Sequence, residues 1–179
     1  MRKIIVSEFL TLDGVMEAPE KWSFQFQNEE TAQFKHEELF ASDALLLGKV
    51  TYQIFANSWP ARQGDFAERM NNLPKYVVST GLNQFPWNNS HPIQDHVVEE
   101  ISTLKRQPGQ DILVAGSGGL VQTLRQHDLV DEYRFLIHPI VLGNGKRFYQ
   151  GGCPATLRLL QTQLFDTGMV LLQYQPERR

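Results

Sequence analysis

The run Ile112-Leu113-Val114-Ala115, followed at once by Gly116-Ser117-Gly118-Gly119, constrains this chain more than any other stretch. Four apolar residues with no polar one among them are the pattern of a strand covered on both faces, as in a parallel sheet. The glycines after it remove side chains where a backbone must bend sharply or let a ligand approach. Leu120-Val121-Gln122-Thr123-Leu124 then continues as a helix. The free N–H groups and dipole of such a helix start favour an anion, typically a phosphate. The spacing is Gly-x-Gly-Gly, which matches neither the dinucleotide Gly-x-Gly-x-x-Gly pattern nor a P-loop. A plain β-to-α turn also uses glycine, so the motif alone leaves phosphate binding open.

The rest of the chain repeats this strand–turn–helix order. Lys3 to Leu10 reads as a strand turned by Asp13-Gly14, a strong local turn signal. Asn28 caps a helix from Glu29 to about Phe40, with Glu29 and Glu30 in the first turn where the dipole favours acids. Asp43 to Leu47 is a second apolar strand, and Gly48-Lys49-Val50-Thr51-Tyr52 leads from it into a short helix. Asp65 caps a helix to Asn71, and Lys75 to Ser79 forms a third strand ended by Thr80-Gly81. Phe85 to Pro92 reads as irregular. Asp95 caps the best helix, with Val97, Val98, Ile101 and Leu104 as its apolar stripe. Glu132 to His138 is a further strand, and Thr156 to Leu164 and Met169 to Gln175 form a hairpin around Asp166-Thr167-Gly168.

Strands alternate with helices through residue 127 and dominate afterwards. That order predicts one α/β domain over residues 1–179, with three layers: a mostly parallel central sheet, helices on both faces, and an antiparallel C-terminal hairpin at the edge. Ligands in such sheets sit beyond the carboxyl ends of the strands. Asp13-Gly14, Gly48 to Thr51, Ser79-Thr80 and Gly116 to Gly119 all gather there, each directly after a strand.

Length and charge narrow the class. A chain of 179 residues suits one domain with a substantial core. The net charge of −3 argues against a general nucleic-acid surface. A single cysteine, Cys153, excludes an internal disulfide and a Cys-rich zinc site, and it reads as inert. The N-terminus meets Glu8 too soon for a signal peptide, and no apolar run approaches the ~20 residues of a membrane span. A cytoplasmic protein without membrane or nucleic-acid partner is the expectation.

Taken together, four motifs resemble the dihydrofolate-reductase-like superfamily, most closely the reductase (C-terminal, RibD-type) domain of riboflavin biosynthesis. They are Leu12-Asp13-Gly14, Gly48-Lys49-x-Thr51-Tyr52, Gly116-Ser117-Gly118-Gly119-Leu120, and Leu129-Val130-Asp131-Glu132-Tyr133 with His138-Pro139-Ile140-Val141-Leu142-Gly143-Asn144-Gly145-Lys146. The resemblance covers nearly the whole chain. It implies an NADPH-dependent reductase without a metal, and a homodimer whose seam could use the apolar residues in Tyr133 to Val141.

The resemblance also implies roles. Gly116, Ser117, Gly118, Gly119 and Leu120 would hold the pyrophosphate, some family members bending here through a cis peptide. Gly48 would let the chain pass close to the cofactor, Thr51 would add a hydroxyl, and Lys49 would pair with the 2′-phosphate, as a point charge without a bidentate fork. Val78, Ser79 and Thr80 would line the adenosine end. Asp13 and Glu30 are the catalytic candidates, although a turn and a helix dipole account for them equally. Lys146, with Arg147, could meet a substrate phosphate. Trp22, Trp59, Trp87 and Phe148 could stack on a flat heterocycle, with Trp22 in an exposed loop. His138 reads as structural.

The function so implied is hydride transfer from NADPH to a C=N or C=O of a small heterocyclic or sugar-like substrate. A specific form is reduction of 5-amino-6-(5-phosphoribosylamino)uracil, here without a preceding deaminase domain. Dihydrofolate reduction and a non-catalytic nucleotide-binding or regulatory module on the same fold are the alternatives. An acyl hydrolase using Ser117 is poor, because Ala115 stands where a Gly-x-Ser-x-Gly elbow needs glycine.

Overall fold

The computed structural model describes residues 1–152 and 154–177; Cys153, Arg178 and Arg179 lie outside it. Thirteen helices and strands follow in order: β1 (Ile4–Thr11), α1 (Glu29–Phe40), β2 (Ser42–Gly48), α2 (Lys49–Ser58), α3 (Asp65–Asn72), β3 (Lys75–Val78), β4 (Ser90–Ile93), α4 (Val97–Arg106), β5 (Asp111–Ala115), α5 (Gly118–Gln126), β6 (Glu132–His138), β7 (Leu157–Leu164) and β8 (Val170–Pro176). The sheet order is β4-β3-β2-β5-β1-β6-β8-β7. β4 through β6 run parallel, and β8 and β7 close the edge antiparallel.

Both faces are covered, as the all-apolar strands require. Ile4, Val6, Ile112 and Val114 pack with Ile101 and Leu104 of α4 and Val121 and Leu124 of α5. Ile5, Leu45, Leu47 and Leu113 point the other way, onto Leu39 of α1, Tyr52 of α2 and Met70 of α3. The alternation is the two-residue period of a strand with a helix layer on each side. The three-layer α/β expectation therefore holds.

The differences are local. The stretch from Phe85 to Pro92, expected to be irregular because Trp87 and its two prolines break any element, runs into β4, which pairs with β3 at the sheet edge, where proline is tolerated. α4 is not capped by Asp95: the cap position is His96, in the left-handed region at φ 48°, with no side-chain bond. β6 is not a free seam, because it lies between β1 and β8 and buries Tyr133, Phe135 and Leu136.

The weak apolar face of α1 has a physical explanation: the helix buries a charge. The side chain of Glu38 is fully buried and pairs with Lys35 and, at 3.4 Å, with Arg134 of β6. Arg134 also holds Glu132 at 2.7 Å, and Lys35 donates to the Ser7 hydroxyl at 2.9 Å.

Candidate nucleotide site at the strand ends

β2 and β5 are neighbours and each runs directly into a helix, so α2 and α5 begin side by side. The junctions are tied together. The Gly48 amide donates to Ser117 Oγ at 2.9 Å, and the Ser117 amide donates to Thr51 Oγ1 at 2.9 Å. The bend carries two successive left-handed residues, Gly116 at φ 59° and Ser117 at φ 62°, with no cis peptide among the described residues. Gly116 is required there. A Cβ built on it would lie 2.9 Å from Thr51 Oγ1, the atom that holds the Ser117 amide.

The charge of this junction is distinctive. α1, α3 and α4 each carry acids in the first turn, the usual complement to a helix dipole. α2 and α5 carry none, and neither has a side-chain cap. Two positive helix ends thus face the same solvent with nothing negative on them, which is the electrostatics an anionic ligand needs.

Two lysines flank the pair. Lys49 Nζ reaches to 3.5 Å from where a Gly81 Cβ would stand, next to Ser79 and Thr80 at the end of β3. Lys146 Cε lies 3.8 Å from the corresponding position on Gly118, at the start of α5. Gly48, Lys49, Thr51, Ser79, Thr80, Ser117, Gly118 and Lys146 are therefore brought to one rim, with Val78 half-buried just inside it. The Leu120 side chain is core; only its amide remains for a ligand. A cavity of about 420 Å³ is lined by Arg125, Tyr149, Pro154 and Leu157 at the other end of α5. Its position opposite the strand ends makes it a poor seat for the chemistry of such a sheet.

The two expected catalytic acids are held by backbone. Asp13 accepts from the Thr11 hydroxyl at 2.6 Å, from the Gly143 amide at 2.8 Å and from the Leu142 amide at 3.2 Å. The Thr11 bond, with the Gly143 amide next, lowers its carboxyl to about 2, so it carries no proton near neutrality. Asp13 pins the 142–147 loop against the first turn, helped by Arg147, whose Nε donates to the Asp13 carbonyl at 2.9 Å. Glu30 is exposed and accepts from the Asp166 amide at 3.1 Å, at the β7–β8 turn.

Three aromatic expectations fail, Trp87 among them, which is 3% exposed and donates its indole N–H to Asn71 Oδ1 at 2.7 Å. Trp22 is 5% exposed rather than in an open loop, and its indole donates to the Glu17 carbonyl at 2.9 Å. Phe148 is 2% exposed and packs edge-on against Phe135 at 5.2 Å. None of the three presents a face to a ligand, because each fills the core beneath its loop.

Trp22 instead forms part of a box around His138, with Phe9 and Phe26. His138 is fully buried, and its Nδ1 faces the carbonyls of Leu136 at 2.9 Å and Leu10 at 3.3 Å. Both neighbours are acceptors, so Nδ1 carries a proton, and the buried Nε2 has no partner to accept from a second one, which favours the neutral ring. Burial lowers its pKa below 6.5. The unfolded chain takes up a proton at the ordinary value while the folded one resists, so this part of the stability is present above pH 6.5 and lost as pH falls below it. Melting temperature against pH should therefore drop on the acid side more steeply in the wild type than in His138→Gln; parallel curves would refute the neutral buried ring.

One buried acid escaped the sequence reading. Glu8 is 4% exposed in the middle of β1, and its Oε1 has no hydrogen-bond partner. The signal was a lone acid inside a mostly apolar strand.

This geometry agrees with what the chain resembles. A family profile for the RibD C-terminal domain matches residues 2–171. The chain belongs to the RibD C-terminal domain family. One relative, the uncharacterized protein YyaP of Bacillus subtilis strain 168, is 30% identical over 182 residues, covering 97% of this chain and 94% of that protein. A protein from Shewanella sp. PV-4 whose name assigns it provisionally to riboflavin biosynthesis superposes with a TM-score of 0.81 at 18% identity, covering 98% and 99% of the two chains. Dihydrofolate reductase from Enterococcus faecalis, solved with NADP(H), superposes with a TM-score of 0.68 at 12% identity, covering 98% and 97%. At those identities the two structures establish the dihydrofolate-reductase-like fold for this RibD C-terminal domain. No helix among the described residues is long and apolar enough to cross a membrane.

Proposed function

We propose that this RibD C-terminal domain is an NADPH-dependent reductase that passes a hydride to a C=N or C=O of a small heterocyclic or sugar-like substrate. The observation that carries the reading is the meeting of two acid-free, uncapped helix N-termini at Gly48 and Ser117, flanked by Lys49 and Lys146. The pyrophosphate would lie over the first turns of α2 and α5, held by backbone amides. Lys49 would take the 2′-phosphate beside Ser79 and Thr80. The cofactor supplies the hydride when bound; the protein's part is alignment and a proton.

Family membership favours 5-amino-6-(5-phosphoribosylamino)uracil as the specific substrate, with Lys146 meeting its phosphate. A non-catalytic nucleotide-binding module is the second reading. It is favoured by the engagement of both Asp13 and Glu30 with backbone amides, which leaves neither free for chemistry. Cofactor oxidation in the presence of pyrimidine and pterin substrates separates the two. The homodimer implied by the resemblance would use the β7 edge, where Leu159, Leu160 and Leu164 are exposed, in place of β6.

Lys49→Ala should weaken NADPH about tenfold while leaving NADH within about twofold, the ratio expected of one charge-assisted contact worth ~1.4 kcal/mol. Fluorescence titration with each nucleotide reads it. Equal losses for the two nucleotides would remove Lys49 from the 2′-phosphate, and no binding of either would sink the reductase reading.

A further inference from the structure

Strand order gives a bound dinucleotide a direction. Lys49 and Ser79 to Gly81 mark its adenosine end at β3, and the phosphate-binding junction lies over β2 and β5. The next strand along the same rim is β1. β5 pairs with β1 as far as Ser7, opposite Ala115, and then turns away at Gly116. Glu8 is the first β1 residue beyond that pairing, and the Gly116 amide acts on its carboxyl.

We propose that Glu8 is the proton donor of this site, its carboxyl facing the hydride-carrying end of a bound nicotinamide dinucleotide. The inference rests on the nucleotide reading above and adds the acid that Asp13 and Glu30 do not supply.

The surroundings suit the role. Glu8 shares its side of β1 with Val6 and Leu10, opposite Phe135 of β6, all buried and apolar. Oε1 is buried without a partner, as expected of an oxygen that awaits a ligand. Burial raises its pKa well above 4.5; Lys35 and the Gly116 amide oppose that rise, and Glu38 adds to it. Of the charged groups around it, Lys35 and Glu38 on α1 form an ion pair in which Lys35 weighs more on Glu8, and Arg134 with Glu132 on β6 completes that cluster. Burial is the largest influence on Glu8 and favours its neutral carboxyl, whereas hydrogen bonds favour the carboxylate of Asp13.

The proton balance is simple. As hydride adds to the carbon of a C=N or C=O, the nitrogen or oxygen takes the Glu8 proton. NADPH becomes NADP⁺, and the carboxyl becomes a carboxylate facing a cationic ring. That charge pair predicts that NADP⁺ binds with loss of the Glu8 proton, whereas neutral-ring NADPH leaves the proton in place.

The test needs no substrate. The ratio of NADP⁺ to NADPH affinity, measured by titration calorimetry between about pH 5 and about pH 8, should shift toward NADP⁺ as pH rises, approaching the tenfold per pH unit of a one-proton linkage. Titration of the 2′-phosphate and of Lys49 affects both nucleotides and cancels in the ratio. Glu8→Gln, which has the shape of the protonated acid, should make the ratio flat. A flat ratio in the wild type, or an unchanged slope in Glu8→Gln, overturns the proposal while the nucleotide site stands. Binding of neither nucleotide overturns both.

A second measurement uses the free protein. The unfolded chain ionises Glu8 at the ordinary value while burial makes the folded one resist ionisation. Wild-type stability should therefore decline above pH 4.5 by an amount absent from Glu8→Gln. The variant should melt higher than the wild type at pH 8, with the advantage fading toward pH 5. An advantage that instead grew toward pH 5 would refute a protonated Glu8.

Discussion

Gly116→Ala is expected to lower NADPH affinity by at least about 100-fold, or ~2.7 kcal/mol, and to destabilise the fold by about 1–2 kcal/mol. Two independent effects act at this position. An L side chain is strained at φ 59°, and its Cβ would stand 2.9 Å from Thr51 Oγ1. Relief requires Thr51 to move. Thr51 Oγ1 holds the Ser117 amide, and Ser117 Oγ holds the Gly48 amide. The two helix starts then separate, and with them the pair of dipoles that an anion would need together. Calorimetric titration and thermal melting measure the two effects. Gly119→Ala is the contrast for stability: its Cβ would meet nothing within 4 Å in a helix, where alanine is favoured by up to ~1 kcal/mol. Wild-type NADPH affinity in Gly116→Ala would show that the junction does not hold the nucleotide.

Glu38→Ala is expected to have the largest effect on stability, a loss of about 3–5 kcal/mol. The side chain is fully buried between Lys35 and Arg134, whose own side chains are 23% and 17% exposed. Removing the carboxylate leaves two cations close together and largely out of water, one of them still held by Glu132. The same change at a solvated ion pair would cost less than ~1 kcal/mol. Chemical denaturation separates these magnitudes. A loss below ~1 kcal/mol would mean that water reaches the cluster and replaces the carboxylate. The cluster also sets the field near Glu8, so Glu38→Ala should alter the nucleotide-linked proton release as well.

The elements of this chain were readable because their signals are local. The caps and first turn of α1, the apolar β2 and β5, and the hairpin around Asp166-Thr167-Gly168 each depend on residues close in sequence. The same holds for the rim. Gly48, Lys49, Thr51 and Ser117 were legible because each follows a strand that must be parallel, and parallel strands end on one side of the sheet. β4 was not legible, since a four-residue edge strand containing Pro92 has no period of its own and exists through its pairing with β3.

The residues that sequence misplaced are those whose meaning is their surroundings. Trp22 and Phe148 look like stacking platforms until the fold closes over them. Asp13 looks like a catalytic acid until Thr11 and the amides of Leu142 and Gly143, about 130 residues on, are found to hold it ionised. The sequence by itself determined the strand–helix order, the sheet and the strand-to-helix turns at its rim, because hydrophobic period and turn chemistry act over a few residues. Only the tertiary structure decided which carboxyl is pushed toward its neutral form and which toward its ionised form. Glu8 and Asp13 are the same chemistry in sequence, and burial and distant amides, which no local pattern encodes, set them apart.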